Sequence, residues 1–181
     1  MILVTGGAGY IGSHTVLVLL QAGHDVVVLD NLVNSSAESL RRVGMLAGKT
    51  ATFIEGDIRD RELTDRLFAE NDIDYVVNFA AESHVDRSIE DPQLFLETNI
   101  LGTQNLLDAA RRAWNTGKGA DGYPTWKQNK RFHQVSTDEV YGTLGETGYF
   151  TEQTPLCPHS PYSASKTSAD MIVMAYHDTF R

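Results

Sequence analysis

The 181-residue sequence has a single cysteine, Cys157, few basic residues and no long apolar run. One cysteine cannot form an internal disulfide, so we expect a reducing compartment, with the cytoplasm as the default. The net charge of −9 argues against nucleic acid as a main partner, because phosphate binding requires clustered lysine and arginine. No apolar stretch approaches the ~18 residues of a membrane span, and the opening letters MILVTGG lack the features of a secretory leader.

Short β-branched runs alternate with segments of helical period, which predicts an α/β fold with a Rossmann-type, doubly wound parallel sheet. The length suits a single domain over residues 1–181. We predict strands at residues 2–4, 25–30, 52–56, 74–80 and 131–136, and helices at residues 13–23, 61–71, 92–114 and 162–180. The stretch 115–130 is rich in Gly, Lys and Asn without a period, and predicts a surface loop.

The letters VTGGAGYIGSH place Gly7-x-Gly9-x-x-Gly12 directly after the first strand and before the first helix. In this context the pattern is typical of a dinucleotide fingerprint, in which glycines allow a tight turn and a close approach to a pyrophosphate. The helix N-terminus adds free N–H groups. A plain tight turn is the alternative. The fingerprint predicts cofactor contacts at Gly6, Gly9, Tyr10, Ile11 and Gly12.

Asp30 ends the second strand, 18 residues after Gly12 (30 − 12), where a carboxylate can accept hydrogen bonds from a ribose hydroxyl. The same carboxylate would repel a 2′-phosphate, and Asn31 follows rather than an arginine, so NAD is favoured over NADP. A solvated strand-end aspartate is the alternative. After the third strand, Asp57 and Ile58 are candidates for the edge of the adenine, and here a simple turn is the competing interpretation.

The letters FAAESHVDRSI follow the fourth strand, and ligands of such sheets bind outside the carboxyl ends of the strands. The small Ala80 and Ala81 allow close approach of a cofactor. Ser83 is a candidate for both cofactor and substrate hydroxyls, and Phe79 completes this predicted wall. His84, which follows Ser83, is of a type that is more often a structural hydrogen bonder than a catalyst. No metal-ligand spacing is present here, so we predict no metal site.

Tyr162 and Lys166 lie four residues apart on a predicted helix, so their side chains share one face. A nearby ammonium favours the phenolate, so we expect Lys166 to lower the pKa of Tyr162 and to make it a base for a substrate hydroxyl. Such pairs also occur by chance on solvated helix faces. The dinucleotide fingerprint favours the catalytic interpretation.

Taken together, TGGAGYIG, Asp30, Ser136 and Tyr-x-x-x-Lys resemble the extended short-chain dehydrogenase/reductase family. The stretch LDNLVNSSAESL is similar to UDP-glucose 4-epimerases, whereas AAESHVDRSI, ETNILGT, STDEVYG and SPYSASKTSAD resemble dTDP-glucose 4,6-dehydratases. The triplet Thr137, Asp138 and Glu139 discriminates between the two groups. Without the resemblance, a charged strand-to-loop junction would be the simpler interpretation of this triplet.

The resemblance implies NAD-assisted dehydration of a dTDP-glucose-like sugar nucleotide. Tyr162 would take the C4 hydroxyl proton, Glu139 the C5 proton, and Asp138 would protonate the departing C6 hydroxyl. Adjacent carboxyls suit this division of labour, because repulsion and burial help one of them to keep a proton. Thr137, with Ser136, would hydrogen-bond the C4 oxygen of the substrate, and Thr98 would lie near the nicotinamide. Asn31, Tyr162 and Lys166 would also contact the cofactor.

Relatives of this kind continue past the Tyr-x-x-x-Lys helix, so the resemblance also implies an NAD-binding part that is incomplete at its C-terminal end. We expect the fifth strand to form a sheet edge. The helices at 92–114 and 162–180 pair subunits in relatives, which implies a homodimer. Met171, Ile172, Met174 and Tyr176 would serve that interface or cover the chain's own sheet. A catalytically silent NAD-binding fragment and a UDP-sugar 4-epimerase are the alternative functions.

Overall fold

The computed structural model describes residues 1–180, which form a five-stranded parallel sheet with helices on both faces. The strands are β1 (Ile2–Thr5), β2 (Val26–Asp30), β3 (Thr52–Glu55), β4 (Tyr75–Asn78), β5 (Asn115–Lys118), β6 (Pro124–Trp126) and β7 (Arg131–Gln134). The helices are α1 (Tyr10–Gln21), α2 (Ala37–Ala47), α3 (Arg61–Glu70), α4 (Val85–Glu90), α5 (Pro92–Phe95), α6 (Thr103–Trp114) and α7 (Pro161–Phe180).

The strand order in the large sheet is β3-β2-β1-β4-β7, with every neighbouring pair parallel. The chain winds outward from β1 to β3 on one side, then returns to place β4 and β7 on the other side. This is the predicted doubly wound sheet, and it confirms the expected fold class. The reversal lies between β1 and β4, and ligands of doubly wound sheets bind at the carboxyl ends of strands at such a point.

Both faces of the sheet are covered at its centre, which explains the continuous apolar runs of β1 and β2. Leu3 and Val4 are fully buried and belong to two different core clusters, as the two-residue period of a strand requires. On one face, β1 packs with Leu67 of α3 and the buried side of α6. On the other face, the cluster includes Val16 of α1 and Val43 of α2.

The five predicted strands are confirmed with ends that shift by one or two residues. The predicted helix at 92–114 is a continuous helical segment that contains a π-helical stretch, Leu96–Gly102, between α5 and α6. π-Helical turns inside α-helices are frequent at functional sites. This one carries Thr98 and Asn99, both buried.

The predicted surface loop at 115–130 is wrong in part, because β5 and β6 pair there as an antiparallel hairpin. The side chain of Asp121 accepts a hydrogen bond from the Tyr123 amide, and Gly122 has a φ of +82°, so local turn chemistry closes the hairpin. The Trp126 indole donates to the Phe180 carbonyl at 3.1 Å and ties the hairpin to α7. β5 is exposed and polar and β6 has only three residues, so the sequence contains no apolar alternation that would indicate the hairpin.

Candidate active site

A cavity of about 420 Å³ opens at the carboxyl ends of the central strands. Every residue predicted to contact the cofactor lines it: Gly6, Gly9, Tyr10, Ile11, Gly12, Asp30, Asn31, Asp57, Ile58, Phe79, Ala80, Ala81, Ser83, Thr98, Tyr162 and Lys166. These residues come from six separate stretches of the chain, and the fold brings them into one lining. Their individual roles stay predictions.

The glycine turn leaves no room for side chains. Gly6 has a φ of +66°, and a Cβ there would lie 2.8 Å from the Ala80 backbone nitrogen. A Cβ on Gly12 would lie 2.2 Å from the Gly6 carbonyl oxygen. Glycine at these positions therefore lets the turn, α1 and the end of β4 approach one another to backbone distance. Gly7 has a different role, because its Cα faces the Val28 side chain within the core.

The N-terminus of α1 points free amide groups into this region. Gly9 is its N-cap, no side chain of residues 1–180 caps it, and no acidic residue occupies its first turn. The first N–H groups of a helix have no intrahelical partner, and the helix dipole is positive at this end. The site therefore suits an anionic group such as a pyrophosphate.

Asp30 is a buried carboxylate with defined partners at the end of β2. Its Oδ2 accepts from the Ala8 amide at 2.9 Å, and its Oδ1 accepts from the Leu32 amide at 2.9 Å and the Ser35 hydroxyl at 2.7 Å. Because each carboxylate oxygen has two lone pairs, Oδ2 keeps one for a further donor. The carboxylate is thus held still, with capacity for a hydroxyl.

Asp57 and Asn31 form the neighbouring wall. The Asn31 amide donates to Asp57 Oδ2 at 3.1 Å, and the Arg59 guanidinium donates to both Asp57 oxygens at 3.0 and 2.8 Å. Burial raises the pKa of Asp57, but the hydrogen bonds from Arg59 and Asn31 outweigh burial and lower it below its ordinary value. The wall therefore presents a carboxylate whose charge is already balanced.

Asn99, on the π-helical stretch, joins two parts of the site. Its side chain bonds the Glu82 amide and carbonyl at 2.8 and 2.9 Å and donates to the Ser165 hydroxyl at 2.8 Å. Glu82 itself is buried in the lining, with Oε2 4.0 Å from Arg87 and without a hydrogen bond. The amide of Asn99 thus fixes the segment after β4 against α7. The sequence analysis assigned no role to Asn99.

The first turn of α7 brings Tyr162 and Lys166 to the cavity. The Tyr162 amide donates to the Ser88 hydroxyl at 3.1 Å, and the phenol ring packs edge-to-face on Phe95. Lys166 is 4% exposed, and its Nζ donates to the Val135 carbonyl at 2.6 Å. Both side chains share one helix face, as their spacing predicts.

The expectation that Lys166 lowers the pKa of Tyr162 is wrong for this structure. Burial raises the pKa of Tyr162, an interaction with Thr137 lowers it in part, and the fields of Glu139, Asp138 and Asp170 raise it further. Burial likewise lowers the pKa of Lys166, and its ammonium is engaged with a backbone carbonyl. The sequence showed the spacing of the pair but could not show its desolvation.

The segment after β7 contributes Val135 and Ser136 to the cavity lining. The next three residues, Thr137, Asp138 and Glu139, lie beside the cavity and do not line it. The Thr137 side chain accepts from the Glu139 amide at 3.3 Å and caps a 3₁₀ turn, Asp138–Tyr141. Both carboxylates are exposed, so the burial expected for one of them is not found. Their fields nevertheless reach Tyr162, which places the acids and the phenol in one neighbourhood.

Several lining residues were missed from the sequence. They are Leu29, Asn34, Ser35, Gly56, Glu82, His84 and Val135. Asn34 and Ser35 belong to the turn after β2, where Ser35 contacts Asp30 and Asn34 accepts from Arg87 at 3.3 Å. The polar run NLVNSS was the available signal, but its fold depends on side chains distant in the sequence.

Residues 1–180 contain neither a cluster of metal ligands nor a membrane-spanning helix. No group of three or more His, Cys, Asp or Glu side chains is placed to hold a metal ion. None of the helices in this range is both long and apolar enough to cross a membrane.

A family model described as GDP-mannose 4,6 dehydratase matches residues 3–181. A dTDP-glucose 4,6-dehydratase of Xanthomonas campestris is 51% identical over 180 residues, which cover 98% of this chain and 49% of that protein. The low-salt glycan biosynthesis protein Agl12 of Haloferax volcanii is 49% identical, over 98% of this chain and 52% of that protein. The chain thus spans about half the length of the curated relatives it matches.

Solved structures of two kinds share the fold. DesIV, a dTDP-glucose 4,6-dehydratase of Streptomyces venezuelae solved with NAD, matches with a TM-score of 0.83 and 43% identity, over 99% of this chain and 52% of that one. A UDP-glucose 4-epimerase of Bifidobacterium longum, solved with NAD⁺ and UDP, matches with a TM-score of 0.86 and 35% identity, over 98% and 49% of the two chains.

Proposed function

The chain belongs to the GDP-mannose 4,6 dehydratase family, and from this membership we propose that it is the NAD-binding part of a nucleotide-sugar 4,6-dehydratase. The observation that carries the proposal is the shared cavity: the residues of the dinucleotide fingerprint line it together with Tyr162 and Lys166. A cofactor and a substrate hydroxyl would meet there. The relatives at 51% and 43% identity that are named dTDP-glucose 4,6-dehydratases support the same proposal.

The residues present fit NAD. The uncapped amides at the start of α1 would hold the pyrophosphate, because they carry a positive dipole end and no acidic neighbour. Asp30 would take a ribose hydroxyl with the lone pair that its protein partners leave free. A phosphate at that hydroxyl would meet this buried carboxylate, so we expect NADP to bind far more weakly than NAD.

Dehydration across C5 and C6 of a hexose requires a ketone at C4, since only then is the C5 proton acidic. NAD, when bound, supplies this chemistry by accepting hydride from C4 and returning it to C6. Tyr162 takes the C4 hydroxyl proton, and Thr137 holds the C4 oxygen. Glu139 removes the C5 proton, and Asp138 protonates the departing C6 hydroxyl, which leaves as water. When the hydride returns to C6, a proton returns to C5. The product is a 4-keto-6-deoxy sugar nucleotide.

The positions of these side chains support the assignment. Tyr162 is buried at the cavity, whereas Asp138 and Glu139 are exposed beside it. Exposed acids next to a buried phenol suit a substrate that reaches the phenol with C4 and leaves C5 and C6 outside. Ser83, which lines the cavity near its exposed edge, would contact another sugar hydroxyl.

A UDP-sugar 4-epimerase is the second candidate, because the fold match to an epimerase is as good as the match to a dehydratase. The fold therefore does not separate the two functions. Sequence identity does favour the dehydratase, at 43% against 35%. The acids Asp138 and Glu139 favour it too, since epimerisation at C4 has no proton to remove from C5.

The third candidate is an NAD-binding module without turnover. It follows from the length comparison, because about half of each curated relative has no counterpart here.

We further propose a homodimer, in which exposed faces of α6 and α7 would form the interface. The named relatives support a dTDP-sugar as the substrate. The single cysteine supports a cytoplasmic location.

One incubation separates the candidates. The chain is mixed with NAD and dTDP-glucose, and the products are analysed by mass spectrometry and by NMR. A product lighter by one water supports the dehydratase, whereas a product of unchanged mass with inverted C4 supports the epimerase. NAD binding without a product selects the binding module. The double variant Asp138→Asn, Glu139→Gln is the control, and it should abolish water loss while NAD still binds.

A further inference from the structure

The end of β7 is held by α7 at two consecutive residues. Lys166 Nζ donates to the Val135 carbonyl at 2.6 Å, and the carboxylate of Asp170, one helical turn further on, accepts the hydroxyl hydrogen of Ser136. Within residues 1–180, β7 is an edge strand that pairs with β4 alone. α7 therefore supplies hydrogen bonds at this strand end, where β7 has no second neighbouring strand. These bonds fix the segment that leads to Thr137.

The Asp170 contact also sets the chemistry of Ser136. A serine hydroxyl has one hydrogen to donate and two lone pairs. Because that hydrogen is directed to a carboxylate, Ser136 presents only lone pairs to the cavity that it lines. A charge-assisted bond of this kind is stronger than a neutral one, so the orientation is maintained.

Asp170 is also the carboxylate that acts on Lys166. Burial lowers the pKa of Lys166, and the field of Asp170 opposes this shift. Burial raises the pKa of Asp170 in turn, while the Ser136 hydrogen bond and the Lys166 charge lower it in part. Each charge therefore favours the charged form of the other, with Lys166 buried and Asp170 half-buried.

We propose that Asp170 is a positioning residue of this site: it accepts the hydroxyl hydrogen of Ser136, which fixes Ser136 as a hydrogen-bond acceptor for a substrate hydroxyl, and it places a negative charge one helical turn from Lys166 on the same face of α7. The proposal deepens the proposed function and rests on it for the identity of the substrate hydroxyl. Tyr162, Lys166 and Asp170 then form one row along α7, each separated by four residues.

Two other carboxylates near Asp170 act on Tyr162 and not on Lys166. The carboxylates of Asp138 and Glu139, on the 3₁₀ turn packed against α7, face Tyr162 and raise its pKa together with Asp170. The charge that raises the pKa of Lys166 is that of Asp170. The groups that lower the pKa of Asp170 are Ser136 and Lys166. Removal of the Asp170 charge should therefore be felt first at Lys166.

The test is an NMR titration of the chain labelled with ¹³C at lysine side chains, in the absence of NAD and sugar nucleotide. In Asp170→Asn the midpoint of Lys166 should move to lower pH than in the parent chain, and Asp170→Glu should restore it in part. Asp178→Asn removes the same charge from an exposed position of the same helix, where the carboxylate contacts only His177 among residues 1–180, and should leave Lys166 unchanged. An unchanged Lys166 midpoint in folded Asp170→Asn overturns the proposal.

Ser136→Ala gives the second arm. The hydrogen bond that it removes lowers the pKa of Asp170, so the carboxyl midpoint of Asp170, read with ¹³C-labelled aspartate, should move up. If Asp170→Asn does not fold, this arm decides, and an unchanged Asp170 midpoint overturns the proposal. Neither arm uses cofactor or turnover, so a failed dehydratase assay would leave both results interpretable.

Discussion

Gly12 shows how the lack of a side chain shapes the site at the scale of one residue. A Cβ there would lie 2.2 Å from a backbone oxygen that cannot move without the whole turn. We expect Gly12→Ala to lower stability by about 1–3 kcal/mol, the range for forced overpacking, and to weaken NAD binding. Urea unfolding and calorimetry measure the two effects. Gly145→Ala is the matched control, since its Cβ would meet nothing within 4 Å, and equal losses in both variants would contradict the account.

Tyr162 provides a second test at this scale. Since burial and three carboxylates disfavour its phenolate, the group should titrate above an ordinary tyrosine, and its base form should increase only as pH rises. The difference in tyrosinate absorbance between the parent chain and Tyr162→Phe isolates its titration. Tyr149→Phe, which removes a phenol that is 92% exposed, serves for comparison. A Tyr162 midpoint below that of ordinary tyrosine would restore the original expectation for the Tyr–Lys pair.

Single residues were predictable where local spacing decides their place. Asp30 follows from its position at the end of a strand after a glycine fingerprint, and it lines the cavity. Asn34 and Ser35 were not predictable, because contacts with Asp30 and Arg87 fold their turn. The pKa of Tyr162 was mispredicted for a related reason: burial depends on packing with α4 and α5, which spacing along one helix does not show.

At the scale of elements, the central strands β1 and β2 were predictable because they are buried throughout and their runs are apolar. The missed helix α2 buries Val43 and packs Leu40 and Ala47 partly against the core, so an apolar face was present in its sequence. Its other signals were caps: Ser36 accepts from the Glu38 amide at its start, and Gly48 has a φ of +67° at its end. The hairpin of β5 and β6 was missed because β5 is exposed and polar and β6 is only three residues long.

The start of α7 depends on Ser88, a fully buried hydroxyl on α4. It accepts from the Tyr162 amide, which has no partner within its own helix. Ser88→Ala should leave that amide buried and unpaired, at a cost of about 1–3 kcal/mol in the free energy of unfolding. Ser168→Ala is the control, because it removes a hydroxyl that donates only to its own helix. Similar small losses for both variants in urea unfolding would count against this capping role.

At the scale of the whole molecule, the topology explains why distant motifs meet. The reversal between β1 and β4 brings the glycine turn, Asp30 and the segment after β4 to one edge of the sheet. That convergence could be predicted from alternating strands and helices. The contribution of α7 could not, since its approach to the cavity depends on contacts of this helix with three other segments of the chain. These contacts are Tyr162 with Ser88, Ser165 with Asn99, and Lys166 with Val135.

The proposed homodimer makes a prediction at the same scale. Met171 and Met174 on α7 are 43% and 56% exposed, whereas the hydroxyl of Tyr176 bonds Asp108 within the chain. Met174→Glu should therefore shift a dimer toward monomer in sedimentation velocity, because it places a charge in the proposed apolar interface. Met45→Glu alters a methionine that is 70% exposed on α2 and should leave the state unchanged. A dimer that persists in Met174→Glu would exclude this face.

The central claim is that one cavity holds NAD against the residues proposed for catalysis, and a titration of the ¹⁵N-labelled chain with NAD tests it most directly. The account predicts saturable chemical-shift changes at the amides of Gly9–Gly12, Asp30, Ala80 and Thr98, with changes at Tyr162 and Lys166 in the same titration. NADP at equal concentration should produce much smaller changes. Shifts confined to residues far from these segments, or no saturable shift at all, would contradict the claim.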